Sequence, residues 1–129
     1  MTKIRTHLEI DPELCGTPLE VEEGYSRVRL QTNKRMAVDE SGLVHGGFVF
    51  GLADYSAMIA VNHPNVVLGA ADVKFLKPVR VHEVLLAEAK VRAREGKKHI
   101  VSVTVQCGDT KVFRGDFTCF VLDRHVLAS

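Results

Sequence analysis

Residues 45–64, HGGFVFGLADYSAMIAVNHP, decide the fold of this 129-residue chain. His45-Gly46-Gly47 is a permissive lead-in, Phe48 to Val61 is almost continuously apolar, and Asn62-His63-Pro64 makes a stop signal. The stretch is short for a membrane span and is interrupted by Asp54. It therefore reads as a helix that is apolar on every side, near Gly46 to Val61, and such a helix belongs in the middle of a structure.

Working outward, the flanking sequence reads as strands. Before the helix, Pro18 to Glu22 alternates weakly, and Tyr25 to Leu30 sets Val28 and Leu30 on one face, with Glu22-Glu23-Gly24 as the turn between them. The segment at Asp11-Pro12, ahead of Cys15, reads equally as a short helix or a loop. After the helix, Val66 to Pro78 is rich in β-branched and small residues. Val84 to Ala93, Ile100 to Cys107 and Thr110 to Leu122 alternate, and Glu95-Gly96 and Gly108-Asp109 join them as an antiparallel meander. The expectation is a single α+β domain over residues 1–129, with five or six antiparallel strands wrapped around one long helix.

Composition narrows the function. The chain is 46% hydrophobic and 26% charged, close to the globular average, and its net charge of +1 argues against nucleic acid as a partner. Cys15, Cys107 and Cys119 have no metal-ligand spacing, nor have His82, His99 and His125. No basic-then-apolar leader opens the sequence, and the expected setting is the reducing cytoplasm, away from membranes.

Asp54 carries the most chemical information. It is the only side chain between His45 and His63 that ordinarily carries a charge at neutral pH, on a helix expected to be buried. A buried carboxylate costs roughly 1–3 kcal/mol on mutational scales unless it is satisfied. Such groups have shifted pKa values and concentrate at functional sites, although one can also cap a loop or face a wet interface. Gly46 and Gly47 permit a ligand to approach the backbone, where first-turn N–H groups lack helical partners and the dipole favours an oxyanion. Eight residues separate Gly46 from Asp54, about 12 Å along a helix. One copy cannot easily bring both groups to one carbonyl. If both act on one bond, a two-fold dimer must supply a composite site for each pairing.

The run from Asp39 through Gly42, His45-Gly46-Gly47 and Phe48 to Asp54 resembles the signature of phenylacetate-pathway (PaaI-like) hotdog-fold thioesterases. That signature is Asn-x-x-Gly-x-x-His-Gly-Gly with an acidic residue nine positions after the His. Ala71 to Pro78 (ADVKFLKP) resembles the family's next strand. The resemblance implies hydrolysis of an acyl-CoA thioester, coenzyme A being part of the substrate and no metal or organic cofactor being needed. It assigns carbonyl polarisation to the Gly46 N–H, supported by Gly47, and general-base or nucleophile duty to Asp54 of a second subunit. His45 would orient the loop or approach the carbonyl. It also implies a homodimer, with dimers associating into a homotetramer.

Two positions depart from the pattern. Asp39 stands where many relatives carry an Asn that donates to the carbonyl, and an ionised Asp can only accept. Capping the loop, holding a water, or being protonated are the alternatives for it. Some relatives place a Ser early in the strand after the helix, where this chain has Gly69, Ala70 and Ala71, all without a hydroxyl. For the CoA phosphates, Lys74, Lys77 and Arg80 form one basic group and Arg92, Arg94, Lys97 and Lys98 another, with Arg94 and Lys97 favoured. A non-catalytic acyl-CoA sensor is the alternative, although 129 residues leave little room for a DNA-binding segment. A hotdog hydratase or dehydratase is a third, disfavoured by the His-Gly-Gly block.

Overall fold

The computed structural model describes residues 1–128. In chain order the elements are α1 (Pro12–Cys15), β1 (Thr17–Glu22), β2 (Tyr25–Gln31), a 3-10 turn (Lys34–Met36), α2 (Gly46–Val61), β3 (Val66–Phe75), β4 (Val84–Glu95), β5 (Lys98–Cys107) and β6 (Thr110–Val121). The six strands form one sheet in the order β1-β2-β4-β5-β6-β3, every neighbouring pair antiparallel. The sheet wraps α2, which packs mainly on β4, β2 and β5. This is the hotdog architecture.

Local chemistry explains the elements. Asp11 caps α1 by accepting from the Glu13 N–H, with Pro12 in the first turn, so the segment left open by the sequence is a short helix. Alternation places Val28 and Leu30 of β2, Leu85, Ala87 and Ala89 of β4, and Val101, Val103 and Val105 of β5 in the core. The β4–β5 and β5–β6 turns each begin with a glycine at positive φ, Gly96 at 63° and Gly108 at 58°, a geometry suited to strand twist. The alternation of β4 breaks between Val91 and Ala93, where the register shifts by a bulge.

The core of α2 runs through Val49, Leu52, Ala53 and the unbroken buried series Tyr55 to Ala60. Its polar exceptions are satisfied with one omission. Ser56 donates its hydroxyl to the Leu52 carbonyl, and Ser26 of β2 donates to the Ser56 carbonyl at 2.6 Å, fixing the helix against the sheet. The helix ends at Asn62 in the left-handed conformation, φ 54°. The Asn62 side chain accepts from the Arg5 N–H and donates to the Lys3 carbonyl, tying the N-terminal segment to the helix end. Asp54 is the omission.

Among the described residues no helix is long and apolar enough to cross a membrane. Among the described residues the three cysteines are free thiols.

Candidate active site

The N-terminus of α2 is presented by a loop held at both ends. His45 donates its backbone N–H to the Met36 carbonyl (2.9 Å), and Val44 donates to Val79 (2.8 Å). Isolated bridges pair Ala37 with Val44 and Leu43 with Arg80. His45 is the N-cap residue, in extended conformation, and its side chain makes no capping bond. Its ring stands edge-on to Phe48, 6.1 Å between centroids, and turns back over the next residues. A β-carbon at Gly47 would meet His45 Nε2 at 3.1 Å, and one at Gly46 would meet Phe75 Cε1 at 3.2 Å. At either glycine a β-carbon would therefore press on a neighbouring ring, which would have to give by a few tenths of an ångström. Among the described residues no acceptor engages the Gly46 or Gly47 N–H, as expected of a first helical turn. A concave, mostly apolar pocket of about 320 Å³ adjoins Gly46, with Val49, Phe75, Leu76 and Val112 in its walls.

Asp54 lies two turns along the same helix. Its Oδ1 is shielded from solvent and has no hydrogen-bond partner. Burial pushes its carboxyl pKa up to about 6. Two thiols feel its charge. Burial first, and then Asp54, push Cys119 up to about 12. Cys15 is raised by burial and then by Asp11 and Asp54. A buried polar atom without a partner is exceptional in a helix whose one serine, Ser56, is satisfied.

The strand β3 links the two groups. It is an edge strand, paired only with β6, and residues 69–72 are exposed along it. Leu68 pairs with Cys119, the thiol that senses Asp54, and the register shifts between Leu68 and Ala70, at Gly69. At the other end Phe75 covers Gly46. One free edge thus runs from the neighbourhood of Asp54 to the helix N-terminus, with Ala70 and Ala71 between.

The remaining predicted positions are placed as follows. Asp39 is exposed and accepts from both the backbone N–H and the hydroxyl of Ser41. Those bonds hold its carboxyl below the usual carboxylate range. Of the alternatives open in the sequence, these bonds are those of a loop cap. Arg94 pairs with Glu23 (3.9 Å) and Lys97 with Asp123 (2.8 Å), all exposed. Arg94 borders the cleft at the C-terminal end of α2, beside Val61 and Asn62, far from Gly46 within one chain. Phe75 is the neighbour that sequence reading missed. Its only signal in the sequence was an aromatic next to Leu76 within the strand-like run Ala71 to Pro78.

The thioesterase superfamily model matches residues 41–113, spanning the His-Gly-Gly turn, α2 and the strands through Phe113, and the chain belongs to that superfamily. Among solved structures, an uncharacterized protein of Pyrococcus horikoshii superposes with a TM-score of 0.97 at 52% identity, covering 98% of each chain. The PaaI protein of the phenylacetic acid degradation operon of E. coli shares the fold at a TM-score of 0.79 and 22% identity, over 87% of this chain and 83% of its own. Among curated relatives, methylthioribose-1-phosphate isomerase of Aquifex aeolicus is 54% identical over 121 residues, 93% of this chain but 26% of that protein. Transcription factor FapR of Thermoanaerobacter pseudethanolicus is 28% identical over 116 residues, 89% of this chain and 58% of that factor. The chain thus spans only part of the length of the curated relatives it matches.

Proposed function

We propose that the chain hydrolyses an acyl-CoA thioester to free acid and CoA in a site shared between two copies. The observation that carries this reading is the unpartnered, buried Oδ1 of Asp54 on the helix whose first turn, with the free N–H of Gly46, lies under Phe75 of the open edge strand β3. Pairing two copies antiparallel through β3 sets the Phe75 end of one against the Leu68 end of the other. The Gly46 turn of one copy then approaches the Asp54 region of its partner. The same pairing covers an exposed edge that would otherwise remain a site for uncontrolled association. Dimers of this kind associate further into tetramers.

In this arrangement the thioester carbonyl accepts from the Gly46 N–H, and the helix dipole stabilises the oxyanion as it forms. Asp54 accepts the proton of the attacking water, or itself attacks the carbonyl and is released by water in a second step. The carbon–sulfur bond breaks, the thiolate of CoA leaves and takes up a proton, and the acid is set free. Gly47 leaves room for the His45 ring beside the turn, Asp39 keeps the loop in shape through Ser41, and Gly69 to Ala71 line the approach without a hydroxyl. Arg94 and Lys97 meet the CoA phosphates once released from their carboxylates. The test is thiol release over a panel of acyl-CoA substrates, wild type against Asp54→Asn. Turnover in the wild type that falls in the variant supports hydrolysis; no turnover on any substrate rejects it.

A second reading, a non-catalytic acyl-thioester sensor, is favoured by the likeness to FapR over 89% of this chain. It predicts saturable acyl-CoA binding with no thiol release.

A further inference from the structure

A cleft of about 700 Å³ belongs to none of the groups above. It lies between α1, the end of β2 and the 3-10 turn, lined by Pro12, Glu13, Arg29, Gln31, Lys34 and Arg35, with His82 closing one side. His45, Gly46 and Asp54 are absent from its walls. Three cations face one carboxylate there, and that carboxylate is taken, because Glu13 pairs with Arg35 at 3.4 Å. The side chains of Arg29 and Lys34 have no ion-pair or hydrogen-bond partner among the described residues.

Sheet register explains why Arg29 is left over. Arg27, two residues earlier on the same face, stands between Glu20 of β1 and Glu88 of β4, and it pairs with Glu20. Arg29 stands between Thr17 and Leu86, neither of which can neutralise it. The cleft floor is held in shape rather than loose. Gln31 donates to the His82 carbonyl at 2.9 Å, and His82 is kept at a positive φ of 74°. Asn33 accepts from the Arg35 N–H and so fixes the turn that carries Lys34 and Arg35.

From this geometry we infer that the cleft binds the phosphate-bearing end of a nucleotide. A lone phosphate would leave most of the volume empty, whereas the space falls within the range of small-molecule sites. Guanidinium groups match phosphate oxygens in a planar, bidentate manner, and Lys34 adds a point charge. Pro12 and the polar side chains of Gln31 and Asn33 suit a base that is apolar on its faces and polar at its edges. The turn that holds Lys34 and Arg35 also supplies the Met36 carbonyl that holds His45. Occupation of the cleft is thereby connected to the loop at the start of α2. The nucleotide is either a separate adenine nucleotide or the 3′-phosphorylated ADP portion of CoA itself, in which case this cleft and not the Arg94–Lys97 surface meets the CoA phosphates; the two share this chemistry.

The experiment titrates the wild type and the Arg29→Ala/Lys34→Ala double variant with adenosine 3′,5′-bisphosphate by calorimetry, at two salt concentrations. The expected result is saturable binding in the wild type that weakens with salt and falls at least tenfold in the double variant. Arg29→Gln alone, which keeps the polar stem on an exposed strand position, gives an intermediate loss and guards against misfolding. Kinetics then separate the sources. If the ligand is CoA's own nucleotide, the double variant raises KM for acyl-CoA but leaves hydrolysis of an acyl N-acetylcysteamine thioester unchanged. If it is a separate nucleotide, binding is lost while KM for acyl-CoA stays the same. Equal binding by wild type and double variant, or no binding by either, overturns the inference. Because binding is measured directly, that failure is distinct from an absence of thioesterase activity.

Discussion

The ring of Phe75 rests on Gly46 so closely that a β-carbon at Gly46 would lie 3.2 Å from Phe75 Cε1. Phe75 is 55% exposed and is braced edge-on by Phe113 at 5.1 Å. An edge-strand aromatic thus shapes the helix turn proposed to hold the oxyanion.

Gly46→Ala is expected to fold, because an exposed ring can give way by a few tenths of an ångström. The displaced N–H should lower kcat by about 10²–10³, the range for losing one oxyanion donor. Adding Phe75→Ala relieves the contact and should restore part of the loss. Steady-state kinetics of the two single variants and the double complete the cycle. Strictly additive losses would mean that the ring does not position the turn.

Asp54→Asn removes the group raised to about 6 by burial. Either role in hydrolysis needs the carboxylate, so kcat/KM of the wild type should rise with pH through about 6 and then level off. The variant should lose about 10²–10⁴ in kcat. A carboxyl whose folded pKa exceeds its unfolded value opposes folding when ionised. That penalty is absent below about 3.8 and complete above about 6. The variant should therefore gain about 1–3 kcal/mol at pH 7–8, after discounting for partial exposure, and nothing near pH 3. Denaturant melts at several pH values measure this, and a flat difference would place the titration elsewhere.

Subunit mixing tests the shared site. Heterodimers of Asp54→Asn with Gly46→Ala each contain one composite site with both groups intact. Random pairing in equal amounts leaves about a quarter of all sites functional, so mixing should recover about a quarter of wild-type activity from two weak parents. A site built within one chain recovers none. Light scattering should give a dimer or a multiple of it, and a monodisperse monomer would end the argument.

Arg94→Ala and Lys97→Ala should raise KM for acyl-CoA several-fold while sparing kcat, the pattern of uniform binding. The effect is limited because each cation must leave Glu23 or Asp123 to reach a phosphate. Unchanged KM in both variants assigns them to the ion-paired surface.

Much of this was legible in the order of residues. Helix and strand periods are local properties, so the apolar run over α2 and the alternation of β2, β4 and β5 mark their elements and core faces without knowledge of partners. The isolation of Asp54 among apolar residues and the paired glycines at the turn are equally local. Whether α1 exists was undecided because its four residues rest on a cap and a proline rather than on a period. Partner choice was invisible. That β3 crosses to pair with β6 and becomes an edge, that Leu68 meets Cys119 beside Asp54, and that Arg27 has two acidic neighbours while Arg29 has none all depend on sheet order and register. These are contacts between distant segments, selected by which hydrophobic faces can be buried together, and a single sequence carries no direct record of them. The sequence determined the helix, its carboxylate and its turn; the tertiary structure alone decided that one open edge joins them and that two cations remain unpaired in a cleft.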